Sequence, residues 1–324
     1  MKRRLAANEV GYNETHMDAP AVPESLITEN REKRSAALSS VIAAVGLTTF
    51  KIVVGLMTNS LGILAEAAHS ALDLVAALVT LFAVRVSGRP ADDGHLYGHG
   101  KIENLSALFE TLLLLATSGW IIYEAIHRLF FKAEEVIPSL WGFVVMGVSI
   151  WVDKTRSKIL YDAAHKYRSQ ALEADALHFR TDIWSSSVVI LGLVGVFVAR
   201  RFPRFEILAQ ADGVAALIVA VIVVYVSVEL GLRSVQGLLD HAPTGLDARI
   251  KAVVEEIPGI IDCHNIRVRT SGSKTFVDVH ITVDAQQTLL NAHDLTERAE
   301  QAVQAIQPNA DITVHAEPNT VAES

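Results

Sequence analysis

Six stretches of the chain are each long and apolar enough to cross a lipid bilayer as a helix, and nothing else in the sequence limits the fold as strongly. They cover roughly 36–57, 61–86, 104–130, 138–157, 171–199 and 208–238, each about 20 residues or more. Backbone in hydrocarbon must satisfy its own hydrogen bonds, so runs of this length and texture are expected as helices. With 51% hydrophobic residues over 324, the chain is too apolar for an ordinary soluble protein.

The breaks between the stretches carry turn chemistry. Thr58-Asn59-Ser60 makes a tight hairpin, Gly88-Arg89-Pro90 closes the second stretch, Pro138 opens the fourth, and Arg200-Arg201-Phe202-Pro203 closes the fifth. An even number of spans puts both ends on one side. Fourteen Lys and Arg residues fall on the N-terminal side against five (Arg128, Lys132, Arg200, Arg201 and Arg204) on the other, which places both ends in the cytoplasm. Residues 1–34 are polar, without the apolar core of a signal peptide, and are expected as a flexible arm.

After Ala242-Pro243 the composition turns soluble. Val277, Val279, Ile281 and Val283 alternate with Asp278, His280 and Thr282, the period-two pattern of a half-buried strand. The expected order is a helix near 245–257, strands near 262–270 and 275–283, a helix near 289–306 and a strand near 311–317. The fold class is therefore a membrane all-α six-helix domain over 35–240, a cytoplasmic α+β (α-β-β-α-β) domain over 241–318, and a disordered tail over 319–324.

Inside the second and fifth spans the same signature occurs twice: His69-x-x-x-Asp73 and His178-x-x-x-Asp182. Residues four apart share a helix face, so each pair presents an imidazole and a carboxylate to one point. Two such helices facing each other supply two nitrogens and two oxygens, a donor set that suits tetrahedral Zn²⁺. The bland alternative is a helix-packing hydrogen bond, but packing gives no reason to repeat both residue types and the spacing. Glu66 and Asp175 each precede their histidine by three residues, as neighbouring or gate groups; Arg180 points elsewhere.

The loop Asp92-Asp93-Gly94-His95-Leu96-Tyr97-Gly98-His99 brings an acid and two histidines close enough to share an ion, with glycines to fold the backbone, unless it is simply solvated. The C-terminal segment holds His264, His280, His293 and His315, with Glu317 on the strand face of His315. His241, at the hinge, is either a further ligand or an ordinary surface residue. His16, His127 and His165 belong to no constellation. A single cysteine, Cys263, rules out an intramolecular disulfide and any multi-cysteine zinc site, and is expected as a buried structural residue. The net charge of -8 and the lack of a basic, aromatic stripe argue against nucleic acid as a partner.

These segments, in this order, resemble the cation diffusion facilitator family over about residues 35 to 318. The carriers are Ala-Glu-Ala-Ala-His69-Ser-Ala-Leu-Asp73, the Pro90 to Glu103 loop, Asp175-Ala-Leu-His178-Phe-Arg-Thr-Asp182 and Leu238-Leu-Asp-His241. The resemblance implies homodimeric six-helix transporters of the cell inner membrane, not enzymes, that export divalent metal from the cytoplasm, usually in exchange for protons. It implies a metallochaperone-like cytoplasmic domain at the dimer interface. It matches His69, Asp73, His178 and Asp182 to the transport site and Asp92, His95 and His99 to a loop site. It further matches His264, His280, His293, His315 and Glu317 to a binuclear zinc site, and Lys101 and Asp240 to the charge pair that holds the dimer. Glu317 stands where the bacterial zinc and iron members carry aspartate. His69 likewise replaces an aspartate of those members, which favours Zn²⁺, both transported and regulatory, with Cd²⁺ second and iron, cobalt or another divalent ion as the alternative. No organic cofactor is expected. A membrane-anchored metal sensor and an intramembrane metallohydrolase are the readings from other classes, and neither explains the doubled signature as well.

Overall fold

A computed structural model of the chain describes residues 24–130, 140–201 and 208–319. The first 23 residues of the expected arm, with His16, lie outside the described residues, as do Lys132, Pro138, Pro203, Arg204 and positions 320–324 of the expected tail. Six long helices come first: α1 (Glu24–Met57), α2 (Leu61–Ser87), α3 (Lys101–Phe130), α4 (Leu140–Tyr167), α5 (Gln170–Arg201) and α6 (Leu208–Leu238). They pack as one bundle in which α1 lies on α2 and α4, α3 on α6, and α5 on α4, α6 and α3.

Four helices qualify as membrane spans on length and composition, over Ile27–Met57, Glu66–Ser87, Lys101–Tyr123 and Leu217–Leu238. The other two carry the polar cargo: Asp153, Lys154 and Arg156 lie within α4, and Asp175, Arg180 and Asp182 within α5. Ser60 caps α2 by accepting from the Ile63 N–H at 3.4 Å, while Asn59 turns the chain with a left-handed φ of 49°. Helix α1 corrects one expectation, because it is already helical from Glu24, inside the segment expected to be a flexible arm. The polar turn stays ordered because Glu29 and Lys33 are buried and paired at 3.7 Å, and Lys33 also pairs with Glu103. Helix α4 likewise runs past the expected end near 157, burying Leu160 and Ala164 against Leu172 of α5 and Ala36 and Ala37 of α1.

The soluble domain follows as α7 (Leu246–Glu255), β1 (Ile260–Ser271), β2 (Lys274–Val283), α8 (Leu289–Ile306) and β3 (Ala310–Pro318). This is the α-β-β-α-β order read from the sequence. The sheet order is β1-β2-β3, with β1 antiparallel and β3 parallel to β2. One sheet face, with Val277, Val279, Ile281 and Val283, packs on Ile250 and Val254 of α7 and Leu295, Ala299 and Val303 of α8. Alternation then sends Asp278, His280 and Thr282 to the other face.

Candidate metal centres

The two His-x-x-x-Asp pairs meet where α2 faces α5. His178 Nε2 lies 3.2 Å from Asp73 Oδ1 and 3.6 Å from Asp182 Oδ2, and His69 Nε2 lies 3.9 Å from Asp73 Oδ1 and 3.8 Å from Asp182 Oδ1. Each imidazole therefore faces both carboxylates. His178 and Asp73 are buried, whereas His69 is half exposed. His69, Asp73 and Asp182 offer donor atoms within 4.8 Å of one another, and His178 approaches both carboxylates, a set of two nitrogens and two oxygens able to replace the hydration shell of a divalent cation.

Among the described residues, the cluster opens toward one end of the bundle. A cavity of about 530 Å³ reaches it, lined by Lys51, Glu66, His69, Asp73, Trp120, Asp153, Asp182 and Ser186 among others. On every helix the lining residues beyond the cluster lie toward the end that carries the Thr58 to Ser60 turn, away from the sheet domain. The opposite half of the bundle is shut by the packed side chains of Leu81, Val84, Leu172, Ala176 and Phe179. Polar locks reinforce it. Glu103 accepts from Lys33, from Ser87 Oγ at 2.8 Å and from Ser169 Oγ, and Asn104 Nδ2 donates to Gln170 Oε1 at 3.1 Å. Arg156 donates to Ser40 Oγ at 3.0 Å and to Asp153 Oδ1 at 3.4 Å, with its guanidinium carbon 3.5 Å from the Phe179 ring centroid. Ser40 Oγ in turn donates to Asp175 Oδ2 at 3.2 Å, which places Asp175 in this seal and Glu66 in the open cavity.

The loop between α2 and α3 gathers its three predicted residues. Asp92 Oδ1 is 3.2 Å from His95 Nδ1 and Asp92 Oδ2 is 3.4 Å from His99 Nε2, with the two imidazole centroids 4.3 Å apart. Desolvation raises the Asp92 carboxyl, but hydrogen bonds from His95 and the Gly94 N–H outweigh it and hold the group below its ordinary value. The loop rests on the sheet domain: the Arg269 guanidinium carbon lies 3.7 Å from the Tyr97 centroid, and Tyr97 meets Phe276 edge-on at 5.2 Å. Gly100 sits so close to the β1–β2 turn that a Cβ there would fall 2.3 Å from the Ser271 carbonyl oxygen.

On the solvent face of the sheet, His264, His280 and His315 form a row, because His280 is the register partner of both others. Glu317 gathers them, with His280 Nδ1 at 2.8 Å, His264 Nε2 at 3.3 Å and His315 Nε2 at 3.8 Å. The His280 hydrogen bond, with help from His264, holds the Glu317 carboxyl below its usual range. His293 does not join this row: it lies on α8 with its Nε2 3.4 Å from Glu297. His241 is exposed at the hinge and belongs to none of the three clusters found among the described residues. Cys263 points into the core, and burial pushes its thiol up to about 11, so it offers no thiolate to the neighbouring histidines.

Lys101 pairs with Asp240 at 2.9 Å within one chain, tying the start of α3 to the end of α6. Arg180 faces the Tyr161 ring at 5.8 Å, and His165 packs on the same ring. The sequence assigns no site role to Lys51, Glu103, Glu110, Asp153 or Arg156, yet all are buried and two line the cavity. Their signal was present, since any charge inside a membrane span is costly enough to demand a reason.

Comparison with known proteins fits this architecture. Residues 37–239 match the family described as the cation efflux transmembrane domain, and residues 243–319 match the cation efflux protein, cytoplasmic domain. Among curated relatives, "Cation-efflux pump FieF" of Serratia proteamaculans (strain 568) is 32% identical over 291 residues, covering 89% of this chain and 93% of its own. The protein of the same name from Yersinia pestis (strain Pestoides F) is 31% identical over 289 residues, with coverages of 89% and 93%. A solved structure of the MamM C-terminal domain is 28% identical and covers 23% of this chain and 96% of its own, at a TM-score of 0.22.

Proposed function

Because this chain belongs to the cation efflux family, the cation diffusion facilitators, and is a cation efflux transporter, we propose that its principal cargo is Zn²⁺, exported from the cytoplasm in exchange for protons, with Cd²⁺ as a second ion. One observation supports the choice of ion: His69, Asp73, His178 and Asp182 come together as a donor set of two nitrogens and two oxygens. Hard, octahedral ions such as Mn²⁺ prefer more oxygens than this. That the relatives are named cation-efflux pumps supports a transporter over a sensor or a hydrolase.

Exchange follows from the ligands. A histidine binds metal only through a neutral ring, so a proton arriving at His69 or His178 displaces the ion, and an ion arriving displaces the proton. In the proposed topology both termini are cytoplasmic, the membrane domain spans 35–240 and the metal-binding domain 241–318. The cavity then opens outward, and the structure represents the releasing half of an alternating-access cycle. The loop cluster collects ions on the cytoplasmic side, and the histidine row with Glu317 binds zinc in a homodimer and regulates transport.

Flux into proteoliposomes under an imposed proton gradient, with Zn²⁺, Cd²⁺, Fe²⁺, Co²⁺ and Mn²⁺ in competition, tests this. Zinc is expected to outcompete iron and manganese, and Asp73→Ala or Asp182→Ala to abolish flux. Normal zinc flux through either variant would remove the site assignment, and preference for Fe²⁺ or Mn²⁺ would remove the choice of ion.

A further inference from the structure

Six residues of the open cavity carry or take charge: Lys51, Glu66, His69, Asp73, Asp153 and Asp182. Two of the four carboxylates already have a fixed cation. Glu66 Oε2 is 3.3 Å from Lys51 Nζ, and Asp153 Oδ1 is 3.4 Å from Arg156 Nη1. Among the described residues, Asp73 and Asp182 pair with the two histidines and with no lysine or arginine, so with neutral imidazoles the groups lining the cavity carry two unpaired negative charges. That is the charge of one divalent ion.

Lys51 is held in this arrangement deliberately enough to outweigh the cost of burying an ammonium. Its Nζ donates to Ser70 Oγ at 2.8 Å, next in sequence to the ligand His69, and the Ser70 carbonyl accepts from Thr48 Oγ1 at 3.0 Å. Ser70 and Thr48 are themselves buried, so the lysine is braced on α1 and α2 together. A cavity of this volume is on the order of 10 Å across, within which a fixed ammonium still acts on an ion at the cluster.

We propose that Lys51 is a specificity and release residue: it cancels the charge of Glu66, so that the cavity is neutral with one divalent ion bound and the ion is free to leave. The proposal rests on the reading of the four-residue cluster as the transport site. Without Lys51 the loaded cavity keeps a net negative charge, which holds the ion more tightly and slows its departure. Without Glu66 the lysine is unmatched and repels the ion.

The experiment uses the full-length chain in detergent for Cd²⁺ and Zn²⁺ titration, with an Asp73→Ala/Asp182→Ala chain subtracted as the blank, and proteoliposomes for KM and maximal flux. Lys51→Met is expected to lower Kd and KM about ten-fold and to reduce maximal flux. Glu66→Gln is expected to raise Kd about ten-fold, and the double variant Lys51→Met/Glu66→Gln to return Kd toward that of the unaltered chain. Lys51→Arg, which keeps the charge, is expected to leave Kd within two-fold. The opposite signs keep the test decisive even where one variant fails to fold. A Lys51→Met chain with unchanged or weaker binding, or a double variant that behaves as the single one does, would overturn the proposal. This Kd pattern across the variants, with no metal flux through the unaltered chain, would overturn the transport reading alone.

Discussion

Lys33 of α1 and Glu103 of α3 pair inside the bundle at the end nearest the sheet domain, where both side chains are almost wholly buried. Ser87 of α2 and Ser169 of the α4–α5 turn complete the shell around the carboxylate, so three helices and one turn meet at one anion. It is part of the buried polar packing that closes this half of the bundle.

Removing one partner leaves a buried charge uncompensated. Lys33→Met or Glu103→Gln should destabilise the bundle by ~3–5 kcal/mol, and the double variant by much less. Thermal denaturation in detergent reads the cost. A cysteine placed at Ala37, buried beside this seal, should label faster in the single variants. Equal losses in the single and double variants would show that the pair is not coupled.

Gly100 and the β1–β2 turn allow no added atom between them. Gly100→Ala should push the loop off the sheet domain at a cost of ~1–3 kcal/mol. Arg269→Ala should loosen the same joint by ~0.5–2 kcal/mol through loss of the stack on Tyr97. Faster hydrogen exchange at residues 94–100 is the expected signature, and protection equal to that of the unaltered chain in both variants would count against the docking.

Glu317 titrates below its unfolded value because it is hydrogen-bonded to His280. A lowered carboxyl contributes stability above its unfolded pKa of about 4.3, and that contribution is lost as pH falls through the lower folded value. Exchange protection of β2 and β3 should therefore weaken on acidification below about pH 4.3, with Glu317→Gln removing that component. The same variant should bind Zn²⁺ at the sheet more weakly, by about 10-fold or more.

Cys263 should resist alkylation at pH 8 in the folded chain, because burial pushes its thiol up to about 11. Mass spectrometry should find it labelled only after denaturation. Cys263→Ala should leave metal binding at the histidine row within two-fold while costing ~1 kcal/mol of stability. A large loss of zinc affinity in that variant would make the sulfur a ligand after all.

The apolar runs and the strand alternation made the helices and the sheet legible, since both report periodicity that one segment carries by itself. The doubled His-x-x-x-Asp spacing was legible for the same reason: four residues on one helix face are set by helix geometry, whatever surrounds them. What escaped depends on partners distant in sequence. Glu29 and Lys33 read as the solvated end of an arm, yet Glu103 of another helix buries them. His293, which the resemblance matches to the same site as the other histidines, lies on α8, across the core from the face that carries His264, His280 and His315. Lys51, Asp153 and Arg156 repeat no motif, and their partners Glu66, Ser70 and Ser40 lie on other helices or are set only by packing, so no single segment gives them a role.

Helices α4 and α5, which fall short of the spans defined by composition, pack closely on each other and share the Arg156, Phe179 and Ser157 contacts. During synthesis neither is greasy enough to partition into lipid unaided, since Asp153 and Arg156 on one and Asp175 and Asp182 on the other would face hydrocarbon. Protein shelters them instead: Ser40 of α1 receives Arg156 and Asp73 of α2 faces His178. The polar groups that this bundle buries thus make α4 and α5 depend on neighbouring helices, and not on lipid, for their place in it.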